Sequence, residues 1–103
     1  MPDYSVTLVA QDDIEGIIGH LGSDNPKVAE RFEDDLYDAF GHLAANPHLG
    51  HKRSDLTNRP VFFLTVKRFS YVIIYKKSSP VEILRVVHWH RDITSLLLDE
   101  PNV

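Results

Sequence analysis

The reactive side chains of this 103-residue chain gather at the end of one apolar run, VEILRVVHWHRD, from Val81 to Asp92. Arg85, His88, Trp89, His90, Arg91 and Asp92 follow one another there with few interruptions. Imidazoles take and give protons near neutral pH, guanidinium groups hold phosphates and carboxylates, and Trp anchors protein partners. A second, mostly basic group lies upstream in HLGHKRSDLTNRP, with His48, His51, Lys52, Arg53 and Arg59.

Three chemistries fit these residue types. The first is a metal site made of imidazoles, since His88 and His90 at i, i+2 share one face of a strand. The chain has no Cys to help, and Lys52 and Arg53 beside His48 and His51 repel a cation, which disfavours it. The second is acid–base cleavage of RNA, with His88 or His90 as acid or base and Arg53, Arg59, Arg85 and Arg91 as phosphate clamps. The third is a protein-binding surface built on Trp89, Arg91, Tyr71 and Tyr75, residue types enriched at hot spots. Against all three stands the plain alternative that these are satisfied polar residues at a strand end. No Ser–His–Asp order, phosphate loop or dinucleotide fingerprint is present, and no cofactor is expected.

The elements that would position these residues follow from periodicity. Tyr4 to Ala10 alternates as a short strand. Asp12 and Asp13 then open a helix, with Ile14, Ile17, Ile18 and Leu21 as its apolar stripe and Gly22 as its stop. Gly16 and Gly19 thin that helix and allow a neighbour to approach closely. Asn25 and Pro26 start a second helix, which buries Val28, Phe32, Leu36, Ala39, Phe40 and Leu43 and ends at Asn46, before Pro47. So short a link makes the two helices an antiparallel hairpin. After the loop from His48 to Pro60, with Gly50 as its hinge or turn, VFFLTV, SYVIIYK and the Val81 run form an antiparallel meander. The first turn uses Lys67, Arg68 and Phe69, the second Lys77 to Pro80. Along the last strand Arg85, Val87 and Trp89 share one face and His88 and His90 the other. ITSLLLD adds a short helix or docking tail. The order β-α-α-β-β-β makes a two-layer α+β domain spanning residues 1–103.

Composition limits the partners. The net charge is −4, and the isoelectric point is near 5.8, far below the basic footprint of a nucleic-acid binder. The charge is uneven: acids crowd residues 1–47, whereas bases prevail from His48 onward, which points to an acidic partner for the second half. No signal peptide or membrane span is expected, and the absence of Cys suits a reducing compartment, so a cytoplasmic location is expected.

Taken together, the acidic opening of the first helix, Asp24-Asn25-Pro26, LAANPHLGHKR, Arg59, YVIIYK and ILRVVHWHRD leading into ITSLLL resemble the ParE branch of the ParE/RelE superfamily of type II toxins. The resemblance spans nearly the whole chain. It implies two N-terminal helices on a small antiparallel sheet, and a toxin held in a hetero-oligomer by direct binding of a ParD-like antitoxin. It implies DNA gyrase as target, plasmid stabilisation as context, and a target-binding inhibitor rather than an enzyme. Target binding would fall to Trp89, His90, Arg91, His88 and Arg59. Antitoxin binding would fall to Ile14, Ile18, Phe32, Leu36, Phe62 and Leu64, through the helix hairpin and the sheet edge near Val61 to Leu64. No membrane association and no direct sequence-specific nucleic-acid binding are expected.

Trp89 and His90 depart from the family pattern, standing where small residues are expected. The alternative is a RelE-type, ribosome-dependent messenger RNA endoribonuclease using His88, His90, Arg85 and Arg59. The lack of a Tyr near the C-terminal end and the net negative charge weaken it. A second alternative is a degenerate, non-toxic module that binds antitoxin only.

Overall fold

The first helix begins before its acidic residues. In the computed structural model, which describes residues 3–66 and 68–92, Thr7 is its N-cap and accepts the Ala10 N–H on Oγ1 at 3.1 Å. Such a cap contributes about 1 kcal/mol. Strand β1 is therefore only Tyr4–Val6, and helix α1 runs Leu8–Asp24. The apolar residues after Thr7 follow the helical period, with Ala10, Ile14 and Ile17 buried, so the alternation expected as far as Ala10 gives way at Thr7. Thr7 also donates to the Leu84 carbonyl at 3.0 Å, while its N–H reaches the Ile83 carbonyl at 3.1 Å. One residue thus starts the helix and fastens it to the sheet.

Asn25 makes the hairpin. Its N–H closes α1 on the Leu21 carbonyl, and its side chain accepts the Lys27 N–H at 3.1 Å to open α2, Pro26–Ala45. Gly22 does not stop α1. It lies inside the helix, where an added Cβ would stand 3.4 Å from that of Ala29, at the place where the two helices meet. Gly16 and Gly19 have no neighbour within 4 Å of such a Cβ, so close approach is not their role.

The meander forms as expected, with β2 Phe62–Thr65, β3 Tyr71–Lys76 and β4 Val81–His88. The sheet order is β1-β4-β3-β2, and β1 pairs parallel to β4. The sheet is consequently mixed rather than purely antiparallel. Ile74 pairs with Arg85 but Tyr75 with Ile83, leaving Leu84 as an extra residue in β4. That bulge shifts the alternation. Ile83 and Val86 both join the core beneath the helices, with Phe32, Leu36, Phe40 and Leu43 of α2 and Tyr71, Ile73 and Tyr75 of β3.

The opposite face carries a smaller apolar cluster of Val61, Phe63, Val72, Ile74 and Val87, flanked by Leu56, Leu84 and Trp89. The loop after α2 partly covers it. Gly50 sits in that loop because nothing larger fits: a Cβ would lie 2.6 Å from the Tyr75 ring and 2.8 Å from the Phe63 carbonyl oxygen. The Gly50 N–H donates to the Tyr75 hydroxyl at 2.8 Å, and that hydroxyl donates to the Pro47 carbonyl at 2.7 Å. Of the expected features, Lys67 in the first turn and the segment ITSLLLD lie outside the described residues.

Candidate functional site

Arg85 interrupts an otherwise apolar strand, and a partly buried guanidinium needs a carboxylate. Asp13 of α1 supplies it. Its Oδ2 accepts from Arg85 Nε at 2.7 Å and from the Val86 N–H at 3.1 Å, and its Oδ1 accepts from Arg85 Nη2 at 3.0 Å. The expectation that Arg85 shares the face of Trp89 is therefore corrected: at the bulge, Arg85 turns toward the helix instead. Asp13, assigned from sequence only to opening α1, ties the body of α1 to β4, as Thr7 ties its start.

Beyond β4 the chain folds into a tight turn from His88 to Asp92. His88 Nδ1 accepts the N–H of His90 at 3.2 Å and of Arg91 at 3.1 Å. Asp92 closes the turn in both directions. Its N–H reaches the His88 carbonyl at 2.9 Å, and its Oδ2 accepts the His88 N–H at 3.0 Å. Arg91 lies alongside, donating from Nε to Asp92 Oδ1 at 3.2 Å. Burial pushes the Asp92 carboxyl up, but the hydrogen bonds from Arg91 and the His88 N–H outweigh it and hold the group below its ordinary range. The His88 ring rests edge-on against Tyr71, and the His90 ring lies 6.0 Å from it.

The turn and α1 enclose an open cleft of about 520 Å³, with Asp12, Asp13 and His20 on the helix side and Tyr71, Arg85, Arg91 and Asp92 on the sheet side. Trp89 lies elsewhere. Its N–H donates to the Ser70 carbonyl at 2.7 Å, and its ring packs on the apolar cluster of the opposite face. The Arg53 guanidinium stands 5.1 Å from the centroid of that ring and is itself paired with Asp55.

The four histidines singled out by sequence do not converge. His48 meets Lys77 at 3.0 Å, at the end of β3 remote from His88, since Lys76 pairs with Glu82 whereas Tyr71 pairs with His88. His51 exchanges backbone hydrogen bonds with Phe63. Among the described residues, no group of three or more His, Cys, Asp or Glu is placed to hold a metal ion. Arg59 is exposed in the loop, its N–H donating to the Thr57 hydroxyl at 3.1 Å, and the residues lining the cleft do not include it. Tyr71 and Tyr75, weighed as surface residues, are buried.

The residues expected to bind antitoxin divide sharply. Phe32 and Leu36 are 0 % exposed and Ile14 is 4 % exposed, so they hold the core and present nothing to a partner. Ile18, Phe62 and Leu64 are half-buried. The β2 edge is not fully open, because His51 already pairs with Phe63. The exposed apolar side chains that sequence reading missed are Leu8 (76 %), Val9 (51 %), Tyr37 and Leu49. Leu8 and Val9 are legible once Thr7 is taken as the cap, for they then fall on the outer side of the first turn.

The family model described as "ParE toxin of type II toxin-antitoxin system, parDE" matches residues 4–93. No curated protein sequence matches the chain. Among solved structures, a chain from "Chromosomal ParDE TA system from P. aeruginosa" superposes with a TM-score of 0.71 at 22 % identity, covering 85 % of this chain and 96 % of that one. At that identity the likeness concerns the fold. Among the described residues, no helix is long and apolar enough to cross a membrane.

Proposed function

Since the chain belongs to the ParE toxin family of type II toxin–antitoxin systems, we propose that it binds a protein target, DNA gyrase, and is neutralised by direct contact with a ParD-like antitoxin. The observation that carries the protein target is the state of the cleft arginines. Arg85 is held by Asp13 and Arg91 by Asp92, and Asp12 adds a further carboxylate to the lining. A surface that cuts RNA needs cations facing the phosphate, and carboxylates beside them oppose a polyanion. His88 also spends Nδ1 on the backbone.

Trp89, His90 and Arg91 are the side chains through which the turn meets the target, with Arg59 contributing from the loop. Trp89 and Arg91 lie on opposite sides of the turn, which suits a target that grips it from both faces. For the antitoxin, the half-buried Ile18, Phe62 and Leu64 are joined by exposed Leu8, Val9 and Tyr37. An amphipathic segment that folds on binding would cover such residues.

Two assays on purified protein test this reading: gyrase supercoiling with trapping of cleaved DNA, and ribosome-dependent cleavage of messenger RNA. Inhibition of gyrase alone is expected. RNA cleavage alone would make His88, His90, Arg85 and Arg59 a catalytic set. Inactivity in both, from folded protein that still binds antitoxin, would make the chain a binding module only.

A further inference from the structure

His88 is the residue most readily taken for an acid, a base or a contact, yet its geometry gives it another task. One atom, Nδ1, receives the N–H groups of residues two and three positions ahead, at 3.2 and 3.1 Å. This is the pattern of an Asx turn, in which a side-chain acceptor caps the N–H groups that follow it. Nδ1 of His and Oδ1 of Asn occupy the same place along the side chain. An acceptor at Nδ1 also fixes the tautomer, since the proton of the neutral ring must then sit on Nε2.

We infer that His88 is a positioning residue that acts as a proton-sensitive cap, its neutral ring holding the turn that presents Trp89, His90 and Arg91. Protonation places a hydrogen on Nδ1, directly against two N–H groups, and both bonds are lost. The turn then keeps the Asp92 bonds to the His88 backbone, the Trp89 N–H bond to the Ser70 carbonyl and the Arg91–Asp92 pair, and its tip is looser. The titratable and charged groups around the ring are Tyr71 of β3, and His90, Arg91 and Asp92 of the turn. Across the cleft on α1 lie Asp12, Asp13 (paired with Arg85) and His20. The toxin surface is therefore assembled above the pH range in which the cap protonates and loosened below it. The functional consequence rests on the turn being the target surface, as proposed above; the cap itself does not.

Two substitutions separate acceptor from ring. His88→Asn keeps an acceptor at the δ1 position and loses the ring; His88→Phe keeps a ring against Tyr71 and loses the acceptor. Nitrogen NMR of the full chain, followed along a falling pH series, reads the cap directly. The expected spectrum has Nδ1 unprotonated and Nε2 protonated at the upper end. The His90 and Arg91 amide resonances should move together as Nδ1 gains its proton, and should stay still in His88→Asn. In growth arrest at equal expression, His88→Asn is expected within about threefold of the parent and His88→Phe weaker by about tenfold or more, as two hydrogen bonds are lost.

A proton on Nδ1 of the neutral ring, or amides of His90 and Arg91 indifferent to it, would overturn the cap. Loss of arrest in His88→Asn with its amide resonances unchanged would overturn the positioning role and make His88 a contact or catalytic residue. A parent chain that causes no arrest would count against the toxin reading, and the tautomer would still decide the cap.

Discussion

Strand β4 is held in two different ways along its length. From Val81 to Val87 it is fixed by burial: Val81, Ile83, Val86 and Val87 are each at most 4 % exposed and packed from both faces of the sheet. From His88 to Asp92 only the Trp89 and His88 rings still touch buried apolar residues, and a handful of polar bonds sets the shape of the backbone. Apolar burial is cumulative and tolerant of local change, whereas a polar turn depends on individual acceptors. The contrast means that the turn proposed to meet the target can be altered without disturbing the domain that carries it. The Asp13–Arg85 pair sits at the boundary between the two regimes.

The strongest way to break the contrast is to attack the buried regime. Phe32→Ala removes a fully buried ring and is expected to cost about 3–5 kcal/mol, a large part of the stability of a domain this size, read as a shift in the urea midpoint. Gly50→Ala comes next. Its methyl would meet the Tyr75 ring and the Phe63 carbonyl, and overpacking of this kind costs about 1–3 kcal/mol. A midpoint equal to that of the parent would show that the loop moves aside easily.

At the boundary, Asp13→Asn removes the charge that holds Arg85 and the Val86 N–H. The pair is partly exposed, so the loss is expected near the scale of one charge-assisted hydrogen bond, about 2 kcal/mol, by the same denaturation. An unchanged midpoint would mean that apolar packing and the Thr7 bonds hold α1 on β4 without the ion pair.

The smallest effect belongs to the turn and is a matter of pH. The folded Asp92 carboxyl titrates below its ordinary value, so the folded state favours its ionised form. Its contribution is fully present above the unfolded carboxyl range, near pH 4, and is lost as pH falls through the lower folded value. Asp92→Asn should lower stability slightly at neutral pH and flatten the acid limb, so that parent and variant converge at low pH. Stability that still fell with the parent's slope would place the acid sensitivity at other carboxylates.

The same two regimes decide what the sequence discloses. The helix hairpin and the meander are legible because burial leaves a period: Phe32, Leu36, Phe40 and Leu43 recur at helical spacing, and the Asn25-Pro26 boundary carries its own capping chemistry. Thr7 was hidden because a short alternating run ahead of it fits a strand as well as a first helical turn. The bulge at Leu84 leaves no mark in the order of residues, and it redirects Arg85 toward Asp13, seventy-two positions away in the chain. The turn residues were identifiable by type but not by task. Nothing in HWHRD says that His88 faces its own backbone, that Asp92 returns to it, or that Trp89 and Arg91 part company. Phe32 and Leu36 show the converse error, since an apolar helix face reads equally as core and as docking surface until its cover is known.

The central claim is that the His88–Asp92 turn is the working surface and is separable from the fold. Growth of cells expressing Arg91→Ala without antitoxin, at the abundance of the parent chain and with an unchanged thermal midpoint, tests it most directly. The account predicts that growth arrest is relieved, because Arg91 is exposed and its side-chain interactions are with Asp92 in the turn and Tyr71 beside the cleft. Full arrest by that stable variant would contradict the account and move the target-binding surface off the turn.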